Sequence, residues 1–197
     1  MEATKRKIPI VTIILLGLNV VAFILSTEFF PQLFTLGEVE NQKVLDAGEY
    51  YRLLTGMFLH VDINHLVGNM LLFVCLGDLL ERNIGGIRFL IGYILSGMIG
   101  NLFSVLYSTM QGRLVAAVGA SGGVFGMVGI VLFLVLINRG RLESITIKRL
   151  ILMIVLSLYA GFTGTNIDNV SHVTGFMAGF LIAIVLIAPG YGRKKDS

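Results

Sequence analysis

Residues 119–137 read GASGGVFGMVGIVLFLVLI. A head of small residues leads into an apolar run that carries no charge as far as Ile137. Lipid offers no partner for an unpaired backbone, so a run of this kind must be a helix. The head puts one hydroxyl, Ser121, at or near the start of that helix, where free backbone N–H groups and the positive end of the helix dipole lie together. Gly119, Gly122 and Gly126 around it mark backbone that something else approaches closely. A serine cap on a tightly packed helix would by itself explain this much.

The rest of the chain has the same texture. It is 55% hydrophobic and 14% charged, with a mean hydropathy of +0.86, whereas soluble domains carry about a quarter of their residues as charges. Long apolar runs alternate with short polar connectors, and the pattern predicts six spans. They are Ile8–Ser26, Asn64–Leu80, Ile87–Tyr107, Ser121–Ile137, Lys148–Phe162 and Val170–Ala188. The fold expected is an all-α membrane protein, a bundle of six transmembrane helices over residues 8–190. A short N-terminal segment (1–7) and a basic tail (191–197) flank it. The first run follows Lys5-Arg6-Lys7 as a signal peptide would, but it is long enough to span and no small-x-small cleavage site follows, so it is read as retained. Lys148–Phe162 has the shortest strictly apolar stretch.

Basic residues set the direction. Six spans put both termini on one side, which then collects Lys5, Arg6, Lys7, Arg82, Arg88, Arg139, Arg141, Lys148, Arg149, Arg193, Lys194 and Lys195, 12 of the 15. Lys43, Arg52 and Arg113 fall on the other side. The positive-inside rule makes both termini cytoplasmic, and it accounts for the net charge of +3 without nucleic acid. The outer connector Thr27–Ile63 mixes Phe29, Phe30, Phe34, Tyr50, Tyr51 and Phe58 with acidic residues that include Glu28, Glu38, Glu40, Asp46 and Glu49, a composition suited to partial embedding in the headgroup zone. A single cysteine, Cys75, excludes an internal disulfide framework.

Polar side chains inside spans are costly and usually functional. All three histidines, His60, His65 and His172, fall at outer span starts. His172, Gly175 and Gly179 share one helical face. The two glycines there, and Gly122, Gly126 and Gly129 in the fourth span, form small-residue stripes that permit close helix contact. Such contact could bring His172 to Ser121. His65 and Asn69 are four residues apart, on one face, and both can donate hydrogen bonds. Packing would explain each of these alone. Together they supply a nucleophile, a base and an oxyanion stabiliser, which is what acyl transfer requires.

At these residues the chain resembles the rhomboid family of intramembrane serine proteases. The family's G-x-S-G stands as Gly119-Ala120-Ser121-Gly122. Its H-x-x-x-x-H-x-x-x-N stands as His60, His65 and Asn69, and its H-x-x-G-x-x-x-G as His172, Gly175 and Gly179. Glu81-Arg82 and Tyr51-Arg52 also match landmarks, although Tyr51 stands where tryptophan is usual. Phe125 replaces a common tyrosine and can stack on His172 but cannot donate to a neighbour. Ser171 stands where alanine is common. The match covers nearly the whole chain and is similar to the minimal six-span prokaryotic form, in the plasma (inner) membrane.

The resemblance implies a serine endopeptidase that hydrolyses peptide bonds in or beside transmembrane segments of membrane proteins. Its partners would be those substrates and membrane lipid, with no cofactor and no metal. His172 would take the Ser121 proton, and the Ser121 N–H, His65 and Asn69 would hold the oxyanion. His60, Gly119, Gly122, Phe125, Gly175 and Gly179 would support them. Asp168 is read as a helix cap rather than a third catalytic member, leaving a dyad. Substrate would enter from lipid near the first connector and Lys148–Phe162. The alternative is a catalytically inactive rhomboid-like binding or chaperone protein. A zinc site on the three histidines is disfavoured, because His-Glu-x-x-His is absent and Asp78 lies at the far end of its span.

Overall fold

Local signals in the chain start and stop each helix. The computed structural model describes residues 8–152, 155 and 168–191. Helix α1 (Ile10–Ile24) begins after Pro9 and continues as a wider turn, Leu25–Phe29, up to Pro31. Helix α2 (Ile63–Ile84) is capped by Asp62, whose carboxylate accepts from His65 N at 2.8 Å. Gly85, at φ +85°, turns the chain into α3 (Gly86–Met110), in a region that glycine enters without penalty. Helix α4 (Ser121–Ile137) follows. Helix α5 (Asn169–Leu186), the expected sixth span, is capped by Asp168, which accepts from Ser171 N at 3.0 Å.

Among the described residues, four helices are long and apolar enough to cross a membrane, α1 with its continuation to Phe29, α2, α3 and α5, and α4 is a shorter apolar one. The protein is an all-α, multi-pass membrane bundle. Of the expected span Lys148–Phe162, residues 153–154 and 156–162 lie outside the described residues, as do 1–7 and the tail beyond Tyr191. The boundary that differs most is the end of α2, which runs past Leu80 to Ile84 and carries Glu81 and Arg82 in its last turn. Their charges are satisfied there. Arg82 pairs with Asp78 and with Glu143, both at 3.0 Å. Glu81 accepts from Val11 N, Thr12 N and Thr12 Oγ1 at 2.9–3.0 Å. A carboxylate thus caps the exposed N–H groups of α1 from another helix, where the dipole favours negative charge. The Glu143 hairpin, β3 (Arg141–Leu142) with β4 (Ile145–Thr146), closes this end.

The first connector is folded, not loose. It holds short helices at Gln32–Gly37, Asn41–Leu45 and Arg52–Thr55, then a 3-10 turn at Gly56–Phe58. Buried Arg52 organises it, bonding Glu49 Oε2 at 2.6 Å and the carbonyls of Thr35 and Glu38 at 2.9 Å. That bond holds the Glu49 carboxyl below its ordinary range. Strand β1 (Val39–Glu40) pairs antiparallel with β2 (Ala116–Ala117), tying the connector to the segment before α4. Asn41 strengthens the tie through Arg113 O at 2.8 Å and Val115 N at 3.3 Å. Phe29, Phe30, Tyr50 and Tyr51 remain exposed on this connector.

Helix α4 is the centre of the bundle, buried along most of its length. Against α5 it presents bare backbone. A Cβ on Gly175 would strike the Gly122 carbonyl, and one on Gly179 the Gly126 carbonyl. Against α3, Ser96 fills the space beside Gly126, and the fully buried Tyr93 ring lies against Gly123. Met57 from the connector inserts its thioether between Gly97 and Gly123. Tyr93, Gly97 and Asn101 on α3 all pack inward.

Candidate active site

The glycine seam between α4 and α5 sets the geometry of the site. With side chains removed, the two backbones touch, and the first turns of both helices come side by side. His172 Nε2 lies 2.8 Å from Ser121 Oγ. The two residues are 51 positions apart in the chain. Ser121 is the first residue of α4, following Ala120, which contributes no side-chain cap. The N–H groups of this first turn have no partner within the helix, and the dipole of α4 points its positive end at the hydroxyl.

His172 is 7% exposed. One face of its ring is covered by Phe125, with ring centroids 4.3 Å apart and planes 13° from parallel. The position that departs from the family's common tyrosine therefore still supplies the stack. Ser171, another departure, puts its hydroxyl against Gly122 and Gly100. It reaches Asn101 Oδ1 at 3.4 Å, and Asn101 Nδ2 in turn donates to Leu53 O at 2.9 Å. The start of α5 is thus linked through α3 to the connector.

Gly119 has φ +126°, a conformation that side chains rarely adopt. A Cβ there would lie 2.8 Å from His65 Cε1 and 2.9 Å from Nε2. The His65 ring is therefore seated on the backbone two residues before Ser121, and Asn69 Nδ2 is the next polar atom, at 4.0 Å from the same point. Asn69 also donates to His65 O at 3.0 Å, which fixes its amide relative to that ring. The Gly119 N–H donates to Gly56 O at 2.9 Å.

His60 stands behind His65, the rings edge to face with centroids 5.1 Å apart. It is fully buried. Neither ring nitrogen has a well-formed hydrogen bond among the described residues, although the Phe58 carbonyl is near enough to favour the proton. Burial dominates, with the neighbouring His65 adding to it, and pushes His60 down to about 4. It is a neutral packing histidine at pH 7. The three histidines do not converge on one point, since His172 faces Ser121. Among the described residues no three metal-ligating side chains cluster.

The structure brings Ser121, His172 and Phe125 together and seats His65 and Asn69 beside Gly119, while Gly175 meets Gly122, Gly179 meets Gly126 further along the seam, and His60 lies behind His65. Sequence reasoning missed Met57, whose insertion between two glycines has no local signature. It also missed Asn101 as an anchor of α5, although an asparagine in a span was a visible signal.

A bundle of apolar helices carries a serine and a histidine paired at one end. The Rhomboid domain family model matches residues 47–189, and the chain belongs to the rhomboid family. It is 39% identical over 165 residues to RHOMBOID-like protein 5 of Arabidopsis thaliana, covering 82% of this chain and 52% of that protein. It is 33% identical over 189 residues to the rhomboid protease GluP of Bacillus subtilis (strain 168), covering 93% of this chain and 36% of GluP. RHOMBOID-like protein 4 of Arabidopsis thaliana is 37% identical over 161 residues, 80% of this chain and 40% of that protein. The chain therefore spans about half or less of the length of these relatives.

Proposed function

We propose that this protein is a serine endopeptidase that cuts transmembrane proteins within or beside their spans, with Ser121 as nucleophile and His172 as general base. The observation that carries this reading is the 2.8 Å contact of His172 Nε2 with Ser121 Oγ under the Phe125 ring. Membership of the rhomboid family and similarity to the protease GluP support it.

In this mechanism His172 accepts the Ser121 proton as Oγ attacks the scissile carbonyl. Negative charge grows on the carbonyl oxygen. The backbone N–H of Ser121, at the positive end of α4, meets it together with His65 and Asn69 beside Gly119. Each such donor contributes about 2.7–4 kcal/mol to the transition state. His172 then protonates the leaving amine, and water releases the acyl group. The substrate is a membrane-embedded helix that unwinds locally, because an intact helix shields its carbonyls. The distribution of basic residues supports cytoplasmic termini, with the serine end facing outward.

The test combines a fluorophosphonate probe with a fluorogenic transmembrane peptide in detergent. Wild type should cleave the peptide and take the probe on Ser121, located by mass. Ser121→Ala and His172→Ala should do neither. Cleavage that survives Ser121→Ala would overturn the reading, and a folded wild type that neither cleaves nor labels would favour a binding or chaperone role.

A further inference from the structure

We propose that Asp168 is a positioning residue for His172, its second carboxylate oxygen serving as acceptor and counter-charge for the ring's Nδ1–H. This rests on the dyad reading above and extends it.

With Nε2 facing Ser121 Oγ at 2.8 Å, a ring acting as base must carry its own proton on Nδ1. Nδ1 of His172 is buried and has no hydrogen-bond partner among the described residues. Phe125 covers a ring face and offers no acceptor. One helical turn earlier stands Asp168, whose carbonyl accepts from His172 N at 3.1 Å. Its Oδ1 is occupied as the helix cap, accepting from Ser171 N at 3.0 Å. Its Oδ2 is buried and likewise without a partner. A donor lacking an acceptor and an acceptor lacking a donor therefore lie four residues apart at the start of one helix, where such side chains are neighbours. Catalytic hydrogen bonds are often open in the resting enzyme and tighten with substrate or through one water.

The charges around the ring single out the same residue. Among the described residues, the titratable groups whose charge reaches His172 are Asp168 on its own helix and His65 from α2, and Asp168 is the acid of the two. As His172 takes the serine proton it becomes a cation in a largely desolvated place, where an anion one turn away is worth much more than in water. A cap alone needs only one oxygen, and asparagine or serine caps as well as aspartate. The ionised second oxygen is what the capping role leaves unused.

The experiment measures the rate of Ser121 labelling by a fluorophosphonate against pH, with the thermal midpoint in detergent recorded alongside. Asp168→Asn and Asp168→Ser keep a neutral cap and remove the charge. Each should retain the wild-type midpoint, label roughly 10- to 100-fold more slowly at pH 7, and move the acid limb of the profile to lower pH. If both folded neutral caps match wild type in rate and limb, Asp168 is only a cap and the inference fails while the dyad stands. If labelling persists in Ser121→Ala, the dyad reading fails and takes this inference with it.

Discussion

The Phe125 ring lies 4.3 Å from the His172 ring and nearly parallel to it. The contact covers one face of the imidazole whose Nε2 lies 2.8 Å from Ser121 Oγ. An aromatic stack of this kind contributes about 0.5–1.5 kcal/mol beyond burial. Phe125→Leu, which keeps most of the apolar volume, should slow fluorophosphonate labelling of Ser121 by about 2- to 10-fold. Phe125→Tyr should label at close to the wild-type rate.

Gly119 is doubly constrained, by its φ of +126° and by the His65 ring. Gly119→Ala should displace His65 and with it one proposed oxyanion donor. Peptide cleavage should fall by about 10²–10³, as should cleavage by His65→Ala. If the two act through one donor, the double variant should be little worse than either single one.

Glycines on and off the seam should respond in opposite directions. Gly179→Ala drives a methyl into the Gly126 backbone, which cannot move aside as a side chain could. Its thermal midpoint should drop sharply and Ser121 labelling should disappear. Gly68→Ala, in α2 with open space at the same position, should hold or gain about 0.5–1 kcal/mol.

Glu81 caps α1 with three accepted hydrogen bonds. Bonds to a charged group are worth about 1.5–3 kcal/mol each. Glu81→Ala should lower stability by several kcal/mol in denaturant or heat, and Glu81→Gln by less, since the amide keeps one acceptor. The folded fraction of either variant should still label at Ser121, because the cap lies at the far end of the bundle.

Acid should weaken the protein through His60. Burial pushes its folded value to about 4 from an ordinary 6.5. Between those values the unfolded chain binds a proton that the folded chain refuses, so stability falls as pH drops from 6.5 toward 4. The loss should reach about 3 kcal/mol at the lower limit. Thermal midpoints of wild type and His60→Phe, compared across that window, should show a shallower slope in the variant.

Much of this was legible before any coordinates. Helices α1 to α5 follow from apolar runs, because lipid leaves the backbone no alternative. The pairing of Ser121 with His172 was readable as two glycine stripes and two polar residues on matching helix ends. The first connector was not legible in this way. Its short helices and the β1–β2 pair depend on Arg52 reaching the carbonyls of Thr35 and Glu38, and on Asn41 reaching Arg113 and Val115. Those are long-range bonds that no local periodicity encodes. Glu81 illustrates the same limit. As a motif it marked the family, but its work is done on an N-terminus about 70 residues earlier in the chain.

The seam between α4 and α5 also bears on the moment of synthesis. A chain made from its amino end delivers Ser121 to the bilayer 51 residues before His172. Until the glycines of α5 dock on those of α4, the serine is an ordinary alcohol at a helix start. On the proposed reading the nascent protein is harmless to the membrane proteins inserting beside it. Its hydrolytic power switches on only with a docking step that no single helix can perform, which makes completion of the bundle its own safety catch.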